Sequence, residues 1–244
     1  MEDARPRLEA LGVAGSPAPE RLTTCFRLSG GIAIDAGALA HAVAPDDFAW
    51  LKSLVLTHAH LDHTLGIPFV LGRRELTIWG LQETLDAVRE SLLDGRIWPD
   101  LSDRARWIDI DPGATYDING WEVETGPAVH TIPCLSYSFR RGDSHFVCVG
   151  DTRHDPDVVA WVAERRPPLC IVECSYPNED AGMAQRFGHQ TPQDLAKWRA
   201  ALGEATKMLV THLKPSHEKQ TRHECASLGD PGLVLMAAGD VFDL

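Results

Sequence analysis

The sequence predicts an α/β fold, one sandwich of two facing sheets with helices outside, over residues 1–244 as a single domain. Three observations carry this reading. Short apolar, β-prone runs alternate with amphipathic helical stretches. The strands fall in two batches separated by helices. No Gly/Ser-rich linker and no visible repeat divides the chain, whose length is ample for one large core.

Arg7 to Val13 reads as a weak strand, and Gly15 to Pro19 as a turn. Thr23–Leu28 and Ile32–Asp35 form a hairpin across Gly30-Gly31. Leu54-Val55-Leu56 is a short buried strand, and a helix starts at Gly66 with Pro68 in its first turn. Leu76–Trp79 is a strand. Leu81–Leu93 is a helix, because Leu81, Leu85, Val88 and Leu92 recur at three to four residues. Arg96–Ser102 is an aromatic connector. From Trp107 to Val149 the pattern is all β: Trp107–Ile110, Trp121–Thr125, Ala128–Ile132, Ser136–Arg140 and Phe146–Val149. Asp157–Arg165 and Thr191–Ala201 are helices, the second with Pro192 at its start. Leu169–Glu173, Met208–Thr211 and Leu233–Ala237 complete the strands.

The net charge is −12, and even two divalent cations would leave about −8. That balance disfavours general nucleic-acid binding and leaves room for a small anionic substrate. No apolar run approaches the roughly eighteen residues of a membrane span, and Met1–Arg7 lacks the pattern of a secretory leader. A cytoplasmic protein is expected. Its six cysteines have no Cys-x-x-Cys spacing and are expected to be free, several in buried strands.

The chemistry concentrates in Thr57-His-Ala-His-Leu-Asp-His63, with four metal-capable side chains in six residues: His58, His60, Asp62 and His63. Imidazole nitrogens with a carboxylate suit zinc, and also manganese or iron. His130, Asp151, Glu173 and His212 each follow an apolar run read as a strand. Strand ends converge on one edge of a sheet, so these groups can meet the motif in space.

The spacing His-x-His-x-Asp-His resembles the signature of the metallo-β-lactamase superfamily. The resemblance implies its four-layer αβ/βα sandwich with two facing mixed sheets. It also implies two divalent cations, most simply zinc. His58, His60 and His130 would hold one, Asp62, His63 and His212 the other, with Asp151 between them. Asp35 then reads either as a turn carboxylate or as support behind the site. Ile97-Trp-Pro-Asp-Leu-Ser102, Glu173-Cys-Ser-Tyr-Pro-Asn178, Gly188-His-Gln-Thr-Pro192 and Thr211-His-Leu-Lys-Pro215 bring the resemblance closest to class II 3′,5′-cyclic-nucleotide phosphodiesterases. Departures are Leu65 and Leu71-Gly72 where small residues and a Ser are usual, and Arg153-His154 where Gly-Pro is common.

What the resemblance implies is a dinuclear phosphodiesterase acting on cyclic AMP or cyclic GMP by attack of hydroxide on phosphorus. Asp62, His189 and Glu173 would be catalytic and Lys214 would contact the phosphate. His189 and Glu173 also resemble the acid pair of tRNase Z, in which the His protonates the leaving oxygen. Alternatives are a tRNase Z-like RNA-processing nuclease, or a lactone or other ester hydrolase on the same site. A metal-binding module without turnover is disfavoured by the complete ligand set. The oligomeric state is open, a homodimer included.

Overall fold

In the computed structural model, which describes residues 5–244, the apolar runs pair into two seven-stranded sheets. The first holds β1 (Arg7–Gly12), β2 (Cys25–Leu28), β3 (Ile32–Ile34), β4 (Ser53–Val55), β5 (Leu76–Gly80) and β6 (Ala105–Asp109), with the last strand, β14 (Val241–Asp243), beside β1. The second holds β7 (Thr115–Ile118), β8 (Trp121–Pro127), β9 (Leu135–Arg141), β10 (Ser144–Cys148), β11 (Leu169–Glu173), β12 (Lys207–Thr211) and β13 (Leu233–Leu235) in spatial sequence. Each sheet is antiparallel on one side and parallel on the other, β3 to β6 and β10 to β13 being parallel.

The helices are α1 (Leu39–Ala42), α2 (Leu61–Thr64), α3 (Ile67–Leu71), α4 (Gln82–Leu92), α5 (Pro156–Arg165), α6 (Ala181–Phe187), α7 (Pro192–Leu202) and α8 (Glu218–Ser227). None is long and apolar enough to cross a membrane among the described residues.

Three apolar layers explain the order. Leu8, Phe26, Ile32 and Val55 of the first sheet pack against Val123, Tyr137, Phe146, Ile171 and Leu209 of the second. Leu54, Ile78 and Ala33 face outward onto Leu39, Val70, Leu85 and Val88 of α1, α3 and α4. Val147, Val172 and Met208 face outward onto Val158, Val162, Leu195 and Trp198 of α5 and α7. This is the four-layer αβ/βα arrangement. Strands buried on both faces are apolar at their centres, as Leu54-Val55 of β4 and Met208-Leu209-Val210 of β12 show. All six cysteines are buried and free.

Several expectations need correction. Ala128–Ile132 is a loop, because β8 runs on to Pro127 and the chain then leaves the ladder. The all-β stretch from Trp107 is divided between the sheets: β6 pairs with β5, and after the Asp111–Gly113 turn β7 opens the second sheet. Elements not read from the pattern include β7, β14, α6 and α8. In α8 only Thr221 and Cys225 are buried, so no apolar stripe marks it. By contrast α7 begins where Pro192 predicts, with Thr191 and Asp194 forming a capping box.

Trp121 ties the sheets together. Its ring is buried against Phe139 and Phe146, and its Nε1–H donates to the Ser29 carbonyl of the opposite sheet at 2.7 Å. Trp121→Ala is expected to lower the unfolding free energy by about 3–5 kcal/mol. Trp121→Phe should cost less. Urea titration of both variants measures the difference.

Candidate metal centre

Parallel strands place their carboxyl ends together, and the site is built there. Asp35 follows β3, Thr57 and His58 follow β4, Asp151 follows β10, Glu173 ends β11, and His212 follows β12. Asp35 and His212 both adopt left-handed backbone (φ 55° and 64°), a conformation tolerated by Asp and His better than by branched residues. His130 lies in the loop after β8, not at a strand end, and still reaches the same point.

The outer nitrogens of four imidazoles are committed, which fixes the inner ones. Asp35 Oδ1 accepts from the Thr57 backbone N–H, and its Oδ2 accepts from Thr57 Oγ1, each at 2.8 Å. The Thr57 hydroxyl has one proton, so it accepts from His58 Nδ1 at 3.0 Å. His63 Nδ1 donates to Asp35 Oδ2 at 2.7 Å, and His130 Nδ1 donates to the Gly188 carbonyl at 2.9 Å. His212 Nδ1 donates to Ser175 Oγ at 2.9 Å, since that hydroxyl donates in turn to Glu173 Oε2. These partners assign the tautomers, leaving Nε2 of His58, His63, His130 and His212 as lone pairs aimed inward.

The lone pairs face one another. His58 Nε2 and His130 Nε2 each lie 3.1 Å from His60 Nδ1. His63 Nε2 and His212 Nε2 are 3.2 Å apart, with Asp62 Oδ2 3.2 Å from His212 Nε2. Asp151 Oδ2 sits among them, 3.1 Å from His212 Nε2, 3.5 Å from His63 Nε2 and 3.8 Å from His58 Nε2. Acceptor facing acceptor inside a protein is repulsive unless a cation stands between. The residues therefore fit divalent metal, in two groups: His58, His60 and His130, and Asp62, His63 and His212. Asp151 reaches both groups.

Electrostatics agree. Burial pushes His58 well below the usual imidazole range and His60 down to about 4, so both are neutral donors. Burial alone would raise Asp62 and Asp151. Close contact with the His212 imidazole holds Asp62 low, and the neighbouring imidazoles His212 and His63 hold Asp151 low. Burial would lower His63, but Asp151 and Asp35 raise it well above its ordinary value. A proton on His63 and a cation at its Nε2 answer the same carboxylates.

Beside this cluster, His189 Nδ1 lies 3.1 Å from Glu173 Oε1, both buried. Burial first, then Asp151, pushes Glu173 well above the carboxylate range, and burial brings His189 down to about 4. Both directions favour a neutral pair, in which Glu173 holds the proton and His189 accepts it at Nδ1. His189 Nδ1 also lies 3.9 Å from Asp151 Oδ2. Lys214 Nζ is 3.8 Å from Asp62 Oδ2 and donates to the Gly15 carbonyl. A cavity of about 440 Å³ is lined by His60, Asp62, Asp151, His189 and Lys214, and by Leu61, Tyr176 and Phe187.

All of the site residues singled out in the sequence thus meet at one place, and Asp35 stands behind the cluster, bonded to Thr57 and His63. Thr57, Ser175 and Gly188 were missed. Ser175 and Gly188 lie inside the motifs quoted above, but a hydroxyl and a carbonyl carry no spacing signal. Gly188 is required twice: its φ is 72°, and a Cβ there would come within 2.6 Å of His130 Nδ1.

Two outcomes are expected. Asp151→Ala should lower both metal content, read by elemental analysis, and activity by a large factor; the unaltered protein is expected to hold close to two cations per chain. Asp35→Asn should weaken metal binding about 10- to 100-fold, because it removes the charge that sets the His63 and Thr57 donors. A chelator titration reads that change.

The model of the β-lactamase superfamily domain matches residues 32–213. Over 234 residues the chain is 26% identical to a probable 3′,5′-cyclic-nucleotide phosphodiesterase of Yersinia pestis, covering 78% of this chain and 67% of that one. It is 27% identical over 211 residues to a 3′,5′-cyclic-nucleotide phosphodiesterase of Schizosaccharomyces pombe, covering 70% and 59%. It is 24% identical over 235 residues to a ribonuclease Z of Bradyrhizobium diazoefficiens, covering 71% and 75%. The match thus spans about two thirds or less of these phosphodiesterases. The crystal structure of unliganded yeast PDE1 superposes with a TM-score of 0.81 at 20% identity, covering 98% of this chain and 99% of that chain. Sheet topology, the donor cluster and a model match over most of its length together make this chain a member of the β-lactamase superfamily, with the metallo-hydrolase fold.

Proposed function

We propose that the protein is a metal-dependent phosphodiesterase acting on 3′,5′-cyclic nucleotides, with residues 1–244 working as one domain. The observation that carries this is the placement of His189, buried and paired with Glu173 behind it, on the wall of the cavity that the two donor groups open into. The likeness to relatives named as cyclic-nucleotide phosphodiesterases supports the substrate class. His58, His60 and His130 would hold one cation, and Asp62, His63 and His212 the other, with Asp151 between. Two such cations, zinc by the nitrogen-rich donors or else manganese or iron, would acidify water and neutralise the phosphoryl oxygens.

The chain's own residues supply the rest. Lys214, aligned by Asp62 and the Gly15 carbonyl, brings positive charge to a phosphate in the cavity. Water, its proton released to solvent, forms the new bond to phosphorus as the bond to a ribose oxygen breaks. That oxygen leaves as an alkoxide and needs a proton. His189 Nε2–H gives it, while Nδ1 takes the proton held by Glu173, so the low basicity of the isolated His189 is no obstacle. Six buried free thiols suit a cytoplasmic setting.

The similarity to ribonuclease Z supports a second reading, cleavage of RNA. Against it stand the net charge of −12 and the neighbouring groove of about 800 Å³, which carries Glu83, Asp109 and Asp111 and would repel a polyanion.

His189→Ala is expected to keep both cations and lose about 100- to 10,000-fold on a cyclic nucleotide. It should lose much less on bis(p-nitrophenyl) phosphate, whose leaving group is stable without a proton. Equal losses would mean that His189 shapes the pocket instead. The pair holds its proton below the raised pKa of Glu173. The rate on a cyclic nucleotide should therefore fall as pH rises through that value, and Glu173→Gln should abolish this limb. A pH–rate profile that keeps the limb in the variant would assign it elsewhere.

A further inference from the structure

The cavity at the donor cluster has two unlike halves. Its floor is polar and charged: His60, Asp62, Asp151, His189 and Lys214. Its exposed edge carries two large apolar side chains, Leu61 and Phe187, beside Thr131. Leu61 is 58% exposed and Phe187 41% exposed, among few large apolar side chains so open to water. Met183, one turn before Phe187 on α6, is 44% exposed. Apolar surface gathered at the mouth of a charged pocket marks a place where a ligand's apolar part is covered.

Neither edge residue is free to drift. Leu61 stands between His60 and Asp62 as the first residue of α2. Phe187 is the last residue of α6, and Gly188 after it closes the helix in left-handed conformation while accepting the His130 Nδ1 proton. The ring is thus one residue from the backbone atom that orients one donor imidazole. Arg186 lies over the Phe187 ring, 5.5 Å from its centre, adding a cation at the mouth of an acidic protein.

We propose that Phe187, with Leu61 beside the cavity, forms a platform on which the base of a nucleotide stacks while its phosphate lies against Lys214 and the donor cluster. This rests on the phosphodiesterase reading and extends it to the nucleoside half of the substrate. A flat, apolar-faced heterocycle matches an exposed aromatic ring, and stacking of this kind does not depend on which base is offered. The cavity volume of about 440 Å³ suits one nucleotide and its solvent rather than a longer chain.

The test uses two phosphodiesters with one leaving group, thymidine 5′-monophosphate p-nitrophenyl ester and methyl p-nitrophenyl phosphate. They differ only in the group offered to Phe187. Phe187→Ala is expected to raise KM for the thymidine ester about five- to a hundredfold more than for the methyl ester, with little difference in kcat. Phe187→Leu, which keeps bulk without the ring, should behave like the Ala variant, and Phe187→Trp should restore the preference. Calorimetric titration adds a readout without turnover: the Ala variant should bind AMP more weakly by a similar factor relative to inorganic phosphate. Equal changes on both esters, or AMP binding indifferent to residue 187, would overturn the platform. Turnover of neither ester, with AMP binding that still depends on Phe187, would overturn the phosphodiesterase reading and leave the platform standing.

Discussion

One buried carboxylate organises the centre. Asp35 is almost wholly enclosed, and a charge so placed must be met by donors. It takes three: the Thr57 backbone N–H, the Thr57 hydroxyl and His63 Nδ1. Each has a consequence. The backbone contact pins the loop that leaves β4. The hydroxyl contact turns the Thr57 oxygen toward His58 and sets that imidazole's tautomer. The His63 contact points Nε2 at His212. Tyr137 of the second sheet donates to the Leu56 carbonyl at 2.6 Å, so the opposite layer braces the same turn.

What Asp35 arranges is costly by itself. Lone pairs of His58, His63, His130 and His212 converge with two low-pKa carboxylates in a largely buried space. Nothing apolar would gain from that geometry, and protons satisfy it only in part. Divalent cations satisfy it throughout, so their binding free energy adds to the stability of the folded state. The surrounding sandwich must be rigid enough to hold the donors apart without them. Three apolar layers, with sheets buried on both faces, supply that rigidity.

The legible part of the sequence is the part set by local pattern. Thr57–His63 could be read because four metal-capable groups in six residues have few other uses, and Asp151, Glu173 and His212 because apolar runs precede them. His130 was placed at a strand end because Ala128-Val129 is apolar. The register of β8 against β9 ends at Pro127, and no local pattern announces that. Similarly, β6 looks continuous with the strands that follow, but its partner is β5, 29 residues earlier. Thr57 acts through its hydroxyl and backbone N–H, Ser175 through a hydroxyl and Gly188 through a carbonyl. Their roles exist only once distant elements meet. Leu61 and Phe187 read as ordinary apolar residues until their exposure is known.

Ser175 shows why the donors and the acid pair are best regarded as one unit. Its hydroxyl accepts from His212 Nδ1 and donates to Glu173 Oε2, while Glu173 Oε1 faces His189. A change in charge on Glu173 is therefore felt on one side by His189 and on the other, through a single hydroxyl, by His212. A protonated Glu173 makes Oε2 a weaker acceptor and leaves Ser175 a weaker partner for the imidazole. An ionised Glu173 strengthens both, making His212 a more electron-rich donor. In the proposed reaction, loss of the proton through His189 would thus tighten the donor set at the moment negative charge has left the ribose oxygen. The coupling follows from one serine placed two residues after the carboxylate, where the chain leaving β11 passes His212.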